Sequence, residues 1–248
     1  MKLFLSIVIF INLTASTLNL KYVGELSIFG KVGDALIVYE NDGQKYHIKV
    51  EGGGRGIVAS LTNNKRYIYE SIGSVKNGEL IPLKYIGSEI SKDFNKTKTY
   101  FFDYENAKTL ISTEKCELKS ESTFNIGTFN YDTSYKIIKK NETETLNKIY
   151  KDDMVSMFFN KSLKLLNMEH DEEKIVYAVG SEDTQNGMQV KLKKTQNEHY
   201  TYSIRINKDY LEGGSEEASF VLDKNNVLYE TKLEGILFFG DATIKRQE

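Results

Sequence analysis

The side chains best suited to chemistry in this sequence are three histidines, one cysteine and two pairs of adjacent acids. His47, His170 and His199 lie far apart and share no ligand spacing such as His-x-x-x-His, so no metal site is expected. Asp152-Asp153 and Glu216-Glu217 are neighbours in sequence. In a helix or a strand adjacent side chains point different ways, whereas paired-carboxylate catalysis needs two acids converging across a cleft. No Gly-x-Ser-x-Gly elbow is present, and no calcium-binding loop. The run Gly52-Gly53-Gly54-Arg55-Gly56 lacks a closing Gly-Lys-Ser/Thr and the dinucleotide glycine spacing, so it reads as a bend at a sheet corner, not a phosphate cradle. No catalytic residue and no cofactor are therefore assigned. Cys116 stands alone and cannot form an intrachain disulfide; it is expected to be a small buried hydrophobe.

Two weaker signals remain. Asn95-Lys96-Thr97 is an N-glycosylation sequon with Asp93 two residues before it, as a bacterial oligosaccharyltransferase would need. The second is a helix expected from Asp152 through Leu166, with the acids at its N-cap and first turn, where they meet free amides and the helix dipole. Met154, Met157, Phe158 and Leu165 fall near one face of that helix. So broad an apolar stripe reads first as core, and alternatively as the lining of a lipid-sized cavity.

The elements that must position these residues are mostly strands. The chain has 248 residues, 16 Tyr and 13 Phe but no Trp, and a single proline, Pro82; Tyr and Phe favour pleated, half-buried surfaces. Hairpins are marked at Asn41-Asp42-Gly43, at Lys76-Asn77-Gly78 and around Asn106, since Asn-Gly and Asp-Gly supply the positive φ that tight turns demand. Further strands follow from Ile175 to Lys245, with short turns between them. Local turns between sequential strands imply an antiparallel meander, and so many strands must curl or close. The fold class expected is mainly β: one large curled antiparallel sheet, half-barrel or barrel-like, with one or two helices packed on it. Residues 17–248 read as a single β-rich domain, with Asn141 to Lys151 as the place where two lobes would join.

Location is read from the first residues. Met1-Lys2 is a minimal positive region, Leu3 to Leu13 is apolar except for Ser6 and Asn12, and Thr14-Ala15-Ser16 supplies small residues. The run is about half the roughly 20 residues a membrane span needs. A secretory signal peptide over residues 1–16, cleaved after Ser16, is expected, and with it a periplasmic protein. The net charge of −2, with both signs interspersed along the chain, excludes the basic face that nucleic acid requires.

Laid out in this order, the landmarks resemble those of the uncharacterised exported bacterial proteins grouped as domain of unknown function 3108. They are Tyr22 through Gly30 and Gly33, the bend and short helix from Tyr46 to Leu61, and Ser71-Ile-Gly73 with Gly78, Pro82 and Tyr85. Asp153-Met-Val-Ser156 matches the family's Asp-x-x-Ser helix start, and Asp223 through Phe239-Gly240 its closing hairpin. The Trp residues common in that family are absent, and Leu228-Tyr229 stands where a Pro is usual. The resemblance implies export and a β-rich fold, and no activity.

Two functions of different class then follow. One is a periplasmic, non-enzymatic envelope protein holding an apolar or lipid ligand in its curled sheet. The other is an envelope interaction or assembly module with a solid core, presenting an edge or apolar patch to a protein partner. An envelope hydrolase is a third, requiring His or acidic residues in a cleft. The ligand, the partner and the oligomeric state are not encoded legibly.

Overall fold

In a computed structural model of the chain, the residues described are 16–160, 165–180, 187–205, 217–236 and 240–247. The signal segment therefore lies outside the described residues, apart from Ser16, which opens β1 (Ser16–Leu26). The first half continues as β2 (Gly30–Asn41), β3 (Lys45–Gly54), a short α1 (Gly56–Leu61), β4 (Arg66–Lys76), β5 (Glu79–Ile90), β6 (Phe94–Asp103), β7 (Lys108–Asn125) and β8 (Asn130–Leu146). A crossing segment then holds a two-residue β9 (Asp152–Asp153), a single helical turn α2 (Ser156–Phe159) and a 3-10 turn at Leu165–Asn167. After it come β10 (Glu173–Val176), β11 (Ala178–Val179), β12 (Met188–Gln196), β13 (His199–Arg205), β14 (Glu217–Asp223), β15 (Leu228–Ile236) and β16 (Gly240–Arg246).

Fourteen of these strands form one sheet, antiparallel throughout, in the order β10-β12-β13-β14-β15-β16-β1-β2-β3-β4-β5-β6-β7-β8. The meander is as expected from the turns: Asn77 and Gly78 both have positive φ (54° and 80°) in the hairpin they were read to make. One joint is not local. Pairing of β1 with β16, Tyr22 opposite Arg246, fuses the first and last strands at mid-sheet. The sheet edges are consequently β8 and β10, which are close in sequence, and the sheet is not closed.

Alternation along each strand buries one face. Ile48, Ser71, Tyr85, Tyr100 and Ile111 are consecutive partners across β3 to β7 and are all buried; Leu192, Tyr202 and Phe220 do the same across β12 to β14. These rows give two apolar clusters, one under each half of the sheet, and Leu228 packs against both. The stretch 141–146 proposed as part of a joint between lobes is the last third of β8, paired residue by residue with β7. No helix among the described residues is long and apolar enough to cross a membrane.

The long helix expected from Asp152 to Leu166 does not form. Asp152 and Asp153 pair instead with Ala178 and Val179 as a short parallel ladder, and between Asp152 and Asn160 only Ser156–Phe159 turns helically; residues 161–164 of the expected helix lie outside the described residues. Asn160 is extended (ψ 107°) and its side chain is committed to the backbone of Leu80, so the turn cannot propagate. Tertiary hydrogen bonds have overridden local propensity.

Candidate functional site

Asp153 does meet free amides, as its position before the turn suggested. Its Oδ1 accepts the N–H groups of Val155 (2.8 Å) and Ser156 (2.7 Å), while the Asp153 N–H donates to Ser156 Oγ at 3.0 Å. This reciprocal arrangement is a capping box built from Asp-x-x-Ser. It lies in the interior, however, not at the surface. Asp153 Oδ2 accepts the Ser71 hydroxyl at 2.5 Å, and Ser71 Oγ lies 3.0 Å from Tyr46 Oη. Asp152 faces the other way, its Oδ1 accepting Asn160 Nδ2 at 2.7 Å, and that same nitrogen donates to Leu80 O at 3.0 Å. Both carboxyls are buried, and burial pushes each up to about 6 against the usual carboxylate range; Asn160 opposes this at Asp152, Ser71 and the amides at Asp153. With the acids 1% and 0% exposed and aimed at different partners, the pair is a staple fastening the crossing segment to β4 and β5.

What the staple holds in place is the wall of a cavity of about 280 Å³. Ile37, Val50 and Tyr69 of β2 to β4 form one side, and Ile204, Phe220 and Thr231 of β13 to β15 the other. Met154, Val155, Phe158 and Phe159 of the crossing segment lie between. Phe159 stacks on Tyr39 at 5.2 Å and Phe158 meets Phe220 edge-on at 5.9 Å, so aromatic packing fixes the rotamers of the wall. One polar atom is left over: Asn226 donates its Nδ2 to Phe158 O at 3.0 Å, but its buried Oδ1 has no partner among the described residues. The lining is thus mostly apolar, with Tyr69, Asn226 and Thr231 as its polar members.

Of the four residues singled out from the helical stripe, Met154 and Phe158 line the cavity. Met157 (2% exposed) and Leu165 (3% exposed) lie in the second apolar cluster instead. Asn95 is exposed near the start of β6, opposite Cys116 of β7, which is half-buried. The histidines stay apart: His47 lies between Glu40 (3.8 Å) and Glu70 (3.2 Å), His170 contacts Asp171, and His199 packs edge-on to Tyr229. Glu217 is exposed beside Lys193, and Glu216 lies outside the described residues. No cluster of three potential metal-ligating side chains occurs among the described residues. Sequence reading missed Ser71, Asn160 and Asn226, whose roles depend on partners about 70 to 80 residues away.

Fold and site together define a class: an open, curled β sheet spanned by a stapled segment that encloses an apolar cavity. No family model matches the chain, and no curated protein does. Among solved structures it is similar to the β-barrel-like protein of domain of unknown function DUF1849 from Brucella abortus. The identity is 12%, the TM-score 0.43, and the match covers 93% of this chain and 95% of that one. The resemblance to domain of unknown function 3108 rests on its sequence landmarks.

Proposed function

We propose that this chain is an exported, non-enzymatic protein of the bacterial cell envelope that holds an apolar ligand between its curled sheet and the crossing segment. The observation that carries this reading is the cavity walled by Val50, Tyr69, Met154, Phe158 and Phe220. Its volume, about 280 Å³, is well above the ~150 Å³ of an engineered cavity that binds benzene. Export and a periplasmic location follow from the leader-like residues 1–16. Against catalysis stands the sealing of the perturbed acids: a substrate has no path to Asp152 or Asp153, and each is consumed by structural hydrogen bonds.

Native mass spectrometry of mature protein purified gently from the periplasm tests the reading. A reproducible added mass that organic extraction removes is expected, and it should be lost in Val50→Phe, which fills the cavity. A bare mass in the wild type, under conditions that preserve known carrier complexes, overturns it.

A second reading, an interaction module, is favoured by one specific feature. Among the described residues no strand pairs with the outer edge of β8, and the β7–β8 hairpin runs past the end of β6, exposing Ile126 (76%) and Phe129 (81%) at its tip. Unpaired edges and apolar tips of this kind are where partners dock.

A further inference from the structure

The sheet face that forms the cavity wall continues past the crossing segment as a groove of different chemistry. Register alone places the first row: Tyr67 of β4, Glu89 of β5, Lys96 of β6, Lys115 of β7 and Lys140 of β8 are successive partners. The next row inward is Tyr69, Gly87, Lys98, Thr113 and Glu142. Three lysines therefore stand side by side on adjacent strands, with a fourth one position in. Like charges directly opposite one another destabilise a sheet, so something must compensate.

The protein compensates only part of this charge. Lys115 pairs with Glu117 at 2.9 Å and Lys140 with Glu142, while Glu89 is taken by Lys65. Lys96 and Lys98 have no carboxylate within ion-pair distance among the described residues, Lys98 lying instead over the Tyr100 ring at 5.3 Å. These two lysines border a cleft of about 510 Å³ toward β8, which Lys115, Lys140, Glu142 and Glu144 also line, and a smaller one of about 170 Å³ toward β4, where Glu89 is the one carboxylate among the described lining residues. Tyr67, Tyr69, Tyr85 and Tyr100 wall the smaller cleft. Gly87 forms part of it too, and Tyr85 Oη lies 3.8 Å from where a β-carbon on Gly87 would be. That hydroxyl belongs to a side chain only 1% exposed and has no hydrogen-bond partner among the described residues. Buried donors without partners are rare in folded proteins and ask for one.

Tyr69 stands between this groove and the apolar cavity and lines both. We propose that the ligand is an amphiphile with an oxyanion headgroup: the apolar part occupies the cavity, and Lys96 and Lys98 hold the anion beside the Tyr85 hydroxyl. The lysines act as point charges on phosphate-type oxygens. The inference rests on the cavity's being a ligand site, and it adds the headgroup that site selects.

Calorimetric titration of the mature protein with decanol, decyl phosphate and inorganic phosphate separates the two claims. Decyl phosphate should bind about tenfold more tightly than decanol, the return expected from two partly exposed charge pairs. Lys96→Gln with Lys98→Gln should erase that margin while leaving decanol affinity unchanged, which also shows that the double variant is folded. Equal affinity for decanol and decyl phosphate in the wild type overturns the headgroup assignment and leaves the cavity reading standing. Inorganic phosphate binding as tightly as decyl phosphate makes the groove a site for a free anion and overturns the amphiphile. Failure of both decyl compounds to bind overturns the cavity reading itself.

Discussion

Ser71 and Asp153 are 82 residues apart in the chain, and in the folded protein the Ser71 hydroxyl donates to Asp153 Oδ2 across 2.5 Å. Through that bond β4 grips the crossing segment, and the position of Met154, Val155 and Phe158 in the cavity wall follows from it.

Removal of the hydroxyl tests the grip. Ser71→Ala withdraws a donor from a fully buried carboxylate and should cost about 1.5–3 kcal/mol at neutral pH. The loss should shrink below the Asp153 titration, where the carboxyl is neutral, so denaturant unfolding at pH 7.5 and at pH 5 is the measurement. An equal loss at both pH values would mean that the carboxyl is not charged in the native protein.

Asp152 and Asp153 give stability an unusual pH dependence. Each carboxyl, pushed from 3.8 up to about 6, holds its proton more tightly folded than unfolded. Between about pH 4 and pH 6 the native state therefore binds more protons, and the contribution of each acid to stability falls as pH rises through that window. The full swing is about 3 kcal/mol per group. Asp152→Asn retains an acceptor for Asn160 and removes one charge, so its advantage over the wild type should grow from near zero at pH 4 to about 3 kcal/mol at pH 7. Urea midpoints across that range decide the matter, and a flat difference would contradict the burial argument.

The two methionines of the crossing segment should respond differently to truncation. Met157 is packed inside the second cluster, and Met157→Ala should cost about 2–5 kcal/mol by leaving a void. Met154 already faces the cavity, so Met154→Ala enlarges a space that exists and should cost clearly less. Thermal unfolding of the pair reads the contrast directly.

At the hairpin tip, Phe129 meets only Phe124 among the ring pairs, at 6.2 Å, and is 81% exposed. Phe129→Ser should leave unfolding within about 0.5 kcal/mol of the wild type. A larger drop would show that the tip packs within the fold and is not a free docking surface.

Much of the sheet was legible in the sequence because its information is local. Asn-Gly and Asp-Gly turns set the hairpins between sequential strands, so the antiparallel meander could be read directly. The placing of Asp153 ahead of a helical turn was local too, and its reciprocal bonds with Ser156 form a capping box. Its extension into a helix failed because the partners that stop it, Leu80 for Asn160 and Ala178 with Val179 for the two acids, are remote in sequence.

By itself, then, the sequence determined the strands, their turns and the alternation that makes one face apolar, since each depends on residues within a few positions of one another. Only the tertiary structure decided that β1 pairs with β16, that adjacent acids become a buried staple, and that three lysines line up beside a tyrosine cleft. Those are consequences of register between strands far apart in the chain, and register is set by the whole sheet curling around a shared core.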